Sequence, residues 1–405
     1  MPSARQLYIT DNFKFYGGIA LEKKIGGFAR FQKYIAKGNF DVTFLLIVLA
    51  LLITGLVMLF SASYSYAYYS ETYDHNSLHF ITRQGIFAAI GVTGMLIVSK
   101  INYNYFRWFA IIGMGISLFL LLIVFVLPQW KPGFYRWIGI GSFSFQPSEI
   151  AKIAIVLFYA WACEKWEKQI KKDWKFALYF GAVAVVFAGL VALENHLSGA
   201  VLMAAISVAM LYLGGFNKWW FVFGIGAVMA LVLFFVANPD LLKEYAGERI
   251  VAWLDKDYDP RGARWQTNQS LNAIGSGGLL GQGLGESKQK HLYVSEPQND
   301  FIFAIVCEEL GFVGATAIIV LYALLVWRGF VIAMNCRSKF GALLSMGIVF
   351  QVGIQTILNI LVVTDTIPNT GISLPFFSYG GTSLVMLLAE MGMVLSISRA
   401  SNLRK

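Results

Sequence analysis

A chain of 405 residues, 57% hydrophobic and only 14% charged, cannot coat a globular surface in water, where about a quarter of residues are charged. That balance excludes a string of ordinary soluble domains and favours helices whose outer faces meet lipid. The net charge of +9 raises nucleic acid as a partner, but the basic residues sit in short segments between apolar runs, as cytoplasmic membrane loops do, so no nucleic-acid partner is expected.

The predicted fold is all-α, a polytopic membrane protein of about ten transmembrane helices with one large extracytoplasmic loop. Residues 1–40 form a basic leader in which Phe28, Phe31 and Tyr34 alternate with Arg30, Lys33 and Lys37. This suits either an amphipathic segment on the inner membrane face or a loose cytoplasmic tail. The membrane domain runs from 41 to 405. Its first apolar run, about 42–62, ends at Ser61-Ala62-Ser63, which imitates a cleavage site; the run is too long for a signal h-region, so it is expected to be retained. Further runs follow at about 80–99, 106–127, 148–163, 174–192, 198–214, 217–237, 300–327, 341–364 and 379–398. With the N-terminus inside, the cytoplasmic segments hold 21 of the 32 Lys and Arg residues, which places both termini in the cytoplasm.

Between runs, Glu194-Asn195-His196-Leu197 is a tight polar turn. The segment 238–299 is the one long loop and lies outside; Trp253, Trp265 and short amphipathic stretches suggest that it rests on the membrane surface. Its glycine runs, Gly275-Ser276-Gly277-Gly278 and Gly281-Gln282-Gly283-Leu284-Gly285, have no preceding strand and no following Gly-Lys-Ser/Thr, which argues against a nucleotide cradle. Cys163, Cys307 and Cys336 have neither disulfide nor zinc spacing. His75 and His79 have metal-compatible spacing but lack a third ligand. The two halves show no internal repeat, which weighs against a solute transporter.

An ionisable group at membrane depth costs about 2.5–3.5 kcal/mol, so each needs a reason. Glu149 and Lys152 open the fourth run at i, i+3 spacing and can pair on one helix face. Asp300 stands where the outer loop re-enters the membrane; it is either an N-terminal cap or a group that meets a substrate at the outer rim. Glu308 and Glu309 lie two turns deeper, and at least one must find a partner. Asp365, ahead of the last outer loop, is expected to be solvated.

Four blocks then carry a resemblance. They are Gly55-Leu56-Val57-Met58-Leu59-Phe60-Ser61-Ala62-Ser63; Arg136-Trp137-Ile138 leading into Gln146-Pro147-Ser148-Glu149-Ile150-Ala151-Lys152; Gln298-Asn299-Asp300-Phe301-Ile302-Phe303 continuing to Glu308-Glu309-Leu310-Gly311; and Gly371-Ile372-Ser373-Leu374-Pro375-Phe376-Phe377-Ser378-Tyr379-Gly380-Gly381. From about residue 40 to 400 the chain resembles the SEDS family (shape, elongation, division and sporulation), which includes FtsW, RodA and SpoVE, and its phrasing is nearer FtsW and SpoVE than RodA. The resemblance implies a peptidoglycan glycosyltransferase of the bacterial plasma membrane that polymerises lipid II outside the cell. It also implies undecaprenyl-linked glycan as product, and a class B penicillin-binding protein and other division proteins as partners. It marks Asp300 as the essential acidic residue, and Arg136, Gln146, Ser148, Glu149, Lys152, Gln298 and Ser378 as the substrate-binding set. The turn at 194–198 departs from the family's Gln-Pro-Asp-Leu-Gly pattern, so no acidic role is expected there.

The chemistry suits these residues. A sugar on pyrophosphate leaves readily, so what remains is a base for the acceptor hydroxyl, assigned to Asp300, and cations for the leaving group, assigned to Arg136 and Lys152 with Glu149 holding the lysine. A divalent cation, magnesium or manganese, at Asp300 could share that charge. Two rivals use the same residues differently: a lipid II flippase needs no base, and a non-catalytic division scaffold needs no site.

Overall fold

The computed structural model describes residues 36, 38–127, 136–140, 143–194, 196–237, 244–259, 262 and 264–401; the leader expected over 1–40 falls almost wholly outside them. All ten predicted runs are helical, in chain order α1 Val42–Tyr69, α2 His79–Val98, α3 Phe106–Ile123, α4 Pro147–Lys165, α5 Trp174–Leu193, α6 Leu197–Gly214, α7 Lys218–Ala237, then two loop helices, α8 Glu244–Leu254 and α9 Trp265–Gly277, and finally α10 Ile302–Met334, α11 Lys339–Val363 and α12 Gly381–Ala400. Among the described residues eight of these are long and apolar enough to cross a membrane. α4 is not one of the eight, because it carries Glu149, Lys152, Glu164 and Lys165. It is instead the central helix, packed on α3, α6 and α11, with Ala151, Ala154, Ala160 and Ala162 buried at the contacts.

Polar residues at the run boundaries set where the helices begin. Asp41 accepts the Phe44 amide at 2.8 Å, Asp173 the Lys175 amide at 3.0 Å and Ser338 the Gly341 amide at 3.0 Å. Pro147 occupies the first turn of α4, where its missing N–H costs nothing. The end of the bundle that holds Asp41 is tied by ion pairs, Arg328–Asp41 at 2.7 Å and Arg107–Glu164 at 2.8 Å. Because the helices alternate in direction, the turns around Tyr73, Arg136, His196, Asp300 and Gly371 all gather at the opposite end.

The long loop, expected from its composition to rest on the membrane surface, is packed in part onto the bundle. α9 packs against α10, burying Thr267, Gln269, Ser270 and Ala273; Trp253 Nε1 donates to Asp365 O at 3.1 Å, outside the loop, and Trp265 Nε1 to Tyr293 O at 2.8 Å, within it. The reason lies in the polar side chains and bare glycine backbone of the segment, which find more hydrogen-bond partners on the bundle than in a lipid surface. Asp365 is correspondingly not solvated. Its carboxylate is 12% exposed and pairs with Arg264 at 2.6 Å. Asp365→Asn should therefore release the loop, because breaking a buried pair costs about 3–5 kcal/mol. Limited trypsinolysis reads this as at least about tenfold faster cleavage at Lys256, with cleavage at Lys171 and Lys172, at the other end of the bundle, as the unchanged control.

The glycine run has a different purpose from binding phosphate. Gly311 interrupts α10 with φ +65° and ψ −169°. In an unbroken helix the Phe312 and Val313 amides would bond the carbonyls of Glu308 and Glu309. Here those carbonyls accept from Gln282 N at 2.9 Å and Gly283 N at 3.0 Å, while Phe312 N and Val313 N donate to Gly278 O at 2.9 Å and Leu279 O at 3.1 Å. The loop is thus laid into the break as a splint and supplies every partner the break removed. Beside it, Lys290 Nζ meets Glu309 at 2.9 Å, Ser61 Oγ donates to Glu309 at 2.7 Å, and Glu308 accepts from the Lys288 amide at 3.0 Å and from the Ser287 hydroxyl. Both deep glutamates therefore have partners.

Candidate active site

A two-stranded hairpin, β1 Ile138–Ile140 and β2 Phe143–Phe145, pairs Ile138 with Phe145 and Gly139 with Ser144. It holds Arg136 and Trp137 at one end against Gln146 and the start of α4 at the other, and so brings the arginine block and the Gln-Pro-Ser-Glu block to one place. The Gly371–Tyr379 segment is stitched to the approach of α10. Tyr379 N donates to Gln298 O at 2.8 Å, Ser378 Oγ to Asn299 O at 2.7 Å, and Asn359 Nδ2 reaches both Asp300 O at 2.8 Å and Ile372 O at 2.7 Å.

These elements enclose a cavity of about 590 Å³ at the loop-bearing end of the bundle. Asp300, Arg136, Gln146, Ser148, Glu149, Lys152 and Gln298 line it together with Arg83, His196 and Gln355. Ser378 is placed elsewhere, on a smaller polar chamber beneath, and its hydroxyl is spent on main chain, donating to Asn299 O and accepting from Leu374 N at 2.7 Å. Seven of the eight expected residues thus share one space, and the eighth braces the residue next to Asp300.

Asp300 does not cap α10. The residue preceding that helix is Phe301, and no side chain caps it. The Asp300 carboxylate accepts no hydrogen bond from the other described residues, so it is a group held by its main chain and left facing the cavity. Burial raises its pKa above the ordinary carboxylate value, Arg136 and then Arg249 pull it back, and Glu296 adds a smaller upward push. Lys152 pairs with Glu149 at 2.9 Å, as the i, i+3 spacing suggested, and also donates to Gln355 Oε1 at 3.2 Å. Gln355 in turn donates to Ser373 O at 3.0 Å, fixing the ammonium against the Gly371–Tyr379 segment. In the turn between α5 and α6, burial pushes the Glu194 carboxyl up to about 8 against the opposing pull of Arg136. Burial first, then Arg136 and Lys152, hold the His196 imidazole down to about 3, so the ring is neutral.

As for a divalent cation, Asp300 and Glu296 are carboxylates on the cavity that could share one with a substrate's phosphates. Among the described residues no group of three or more His, Cys, Asp or Glu side chains converges. Glu149 is committed to Lys152, and two guanidinium groups already act on Asp300. The two spaced histidines are engaged separately, His75 with Tyr68 O at 2.7 Å and His79 against the Tyr73 ring at 4.6 Å.

Sequence reasoning passed over Arg83, Gln355, Asn359, Lys290 and Glu390. A signal existed for some of them. Gln351, Gln355 and Asn359 recur at i, i+4 and i+8 in an apolar run, which marks one polar helix stripe, and Glu390 is a bare carboxylate inside the last span.

The model of the cell cycle protein family FtsW/RodA/SpoVE matches residues 42–403. Stage V sporulation protein E of Bacillus subtilis is 38% identical over 369 residues, covering 89% of this chain and 97% of the relative. A probable peptidoglycan glycosyltransferase FtsW of Trichlorobacter lovleyi is 37% identical over 370 residues, covering 91% and 95%. A chain solved in a peptidoglycan synthase complex that coordinates polymerization and crosslinking superposes with a TM-score of 0.73 at 28% identity, covering 89% of this chain and 98% of that one.

Proposed function

Because the chain belongs to the cell cycle protein family FtsW/RodA/SpoVE, we propose that it is a peptidoglycan glycosyltransferase of the FtsW/SpoVE type, which polymerises lipid II into β-1,4 glycan. One observation carries the residue assignments: Asp300, whose carboxylate accepts no hydrogen bond from the other described residues, lines the same cavity as the cations Arg136 and Lys152. The Lys and Arg count supports the reading that this end of the bundle faces outside the plasma membrane with both termini in the cytoplasm.

In the reaction the 4-hydroxyl of the acceptor sugar attacks the anomeric carbon of the donor, and the bond to undecaprenyl pyrophosphate breaks. The proton goes to Asp300, whose raised pKa makes it a stronger base than an exposed aspartate. Arg136 and Lys152 receive the charge that develops on the pyrophosphate, the lysine being oriented by Glu149 and Gln355. A single displacement of this kind inverts an α-linked donor to a β product.

A class B penicillin-binding protein is the expected crosslinking partner, in keeping with the synthase complex that this fold matches. The full chain in liposomes, with that partner and lipid II confined to the outer leaflet, should build glycan polymer. Transfer of lipid II between leaflets without polymer would replace this reading with a flippase.

A further inference from the structure

The turn between α5 and α6 carries a group the reaction above does not use. His196 precedes α6, yet its ring does not cap that helix. Its Nδ1 lies 2.9 Å from Gln146 Nε2 instead. In this assignment of the Gln146 amide its N–H donates to Nδ1, which leaves the ring's single proton on Nε2. Gly199, nearly one turn into α6, leaves room for this placement, since a Cβ there would stand 2.4 Å from Nδ1. His196 lines the cavity beside Arg136 and Lys152, and both cations act on the ring. The other charged groups on the cavity are Glu149, paired with Lys152, and Arg83, Glu296 and Asp300; Glu194, in the turn itself, is under the pull of Arg136.

A neutral N–H between two fixed cations is built for an anion with several oxygens. A cation at position 196 itself, buried beside Arg136 and Lys152, would add its own desolvation cost and be repelled by both. A neutral donor adds a charge-assisted hydrogen bond without either penalty. We propose that His196 is a third phosphate-binding residue, its Nε2–H donating to the pyrophosphate of the lipid-linked donor between Arg136 and Lys152. This rests on the reading that the cavity takes a lipid-linked pyrophosphate. It extends that reading by giving the departure from the family's acidic turn a positive role: an acceptor is exchanged for a donor on the wall where the leaving group sits.

The test uses the full chain in nanodiscs with undecaprenyl pyrophosphate as probe and undecaprenol as the phosphate-free control. His196→Phe, which keeps the ring volume, should weaken pyrophosphate binding about tenfold, whereas His196→Asn, which keeps a neutral donor, should stay within about threefold of wild type. Undecaprenol binding should not distinguish the three proteins. Between about pH 5.5 and 7.5, where the terminal phosphate of the probe itself ionises, wild type and His196→Asn should share one pH dependence of binding, and Gln146→Glu should add a further inflection to the wild-type curve by stabilising the imidazolium. Wild-type affinity in His196→Phe, or equal losses for both lipids, would overturn the proposal. Lipid II polymerisation measured in parallel separates the two claims: no polymer but His196-dependent pyrophosphate binding removes the enzyme and keeps the site, and polymer with unaltered His196→Phe binding does the reverse.

Discussion

Asp300→Asn should reduce lipid II polymerisation by about 10²–10⁴-fold while the protein inserts, folds and binds its synthase partner as wild type does. The substitution preserves volume and leaves intact the main-chain contact from Asn359 to Asp300 O, so the loss is specific to the base. The pH profile sharpens the test. A base works only when deprotonated, so kcat/KM falls as pH drops through the Asp300 pKa, and burial places that limb above the ordinary carboxylate range. Arg136 pulls this pKa down and Glu296 pushes it up. Arg136→Gln should therefore move the acid limb to higher pH, and Glu296→Gln should move it to lower pH. A flat profile, or shifts of the same sign in both variants, would take the proton-accepting role away from position 300. Growth supported by Asp300→Asn would favour a scaffold.

The opposite shifts matter because they depend on the surroundings of Asp300, which the chain's linear order conceals. Apolar run length was enough to locate all ten long helices, since a membrane leaves the backbone no other way to satisfy itself. The Glu149–Lys152 pair was legible for a similar reason, both residues lying on one helix within one turn. The contacts of the long loop were not. Trp253 and Trp265 read as membrane anchors because aromatic residues favour interfaces, but their indole N–H groups found carbonyls on the protein first. Asp365 read as solvated because nothing near it in sequence is basic, and its partner Arg264 is about a hundred residues away in the chain. Ser378, expected among the substrate-binding residues, spends its hydroxyl on Asn299 O, a contact between segments about eighty residues apart. His196 was passed over because its turn breaks the family pattern, and its donor role depends on a tautomer set by Gln146, fifty residues upstream.

What the glycine runs do was not legible in the sequence, which excluded a phosphate cradle without naming the break they fill, and the second large effect expected here falls on one of them. Gly281→Ala should lower the apparent melting temperature and most of the activity together. Gly281 holds φ at +81°, and a Cβ there would stand 2.1 Å from Glu309 O, within the splint itself. The substitution must therefore push the loop out of the break at Gly311 and strand main-chain groups of residues 308–313 in a low-dielectric interior. That break cuts the short helical segment following Asp300 off from the rest of α10, so whatever loosens the splint also loosens the catalytic carboxylate. The ion pair beside it makes the same argument independently. Lys290 and Glu309 are 5% and 0% exposed, and Lys290→Met alone should cost about 3–5 kcal/mol by leaving Glu309 charged with only hydrogen-bond donors such as Ser61. Adding Glu309→Leu removes that orphaned charge, so the double variant should recover much of the lost stability. Melting of the single and double variants in detergent, read beside polymerisation, separates the two functions of the loop. Recovery of both stability and activity would assign Lys290 and Glu309 to holding the splint. Recovery of stability without activity would mean that the pair also fixes Asp300, which a packed apolar substitute cannot do. Equal stability of all three proteins would show that the segment after Asp300 holds its place without the loop.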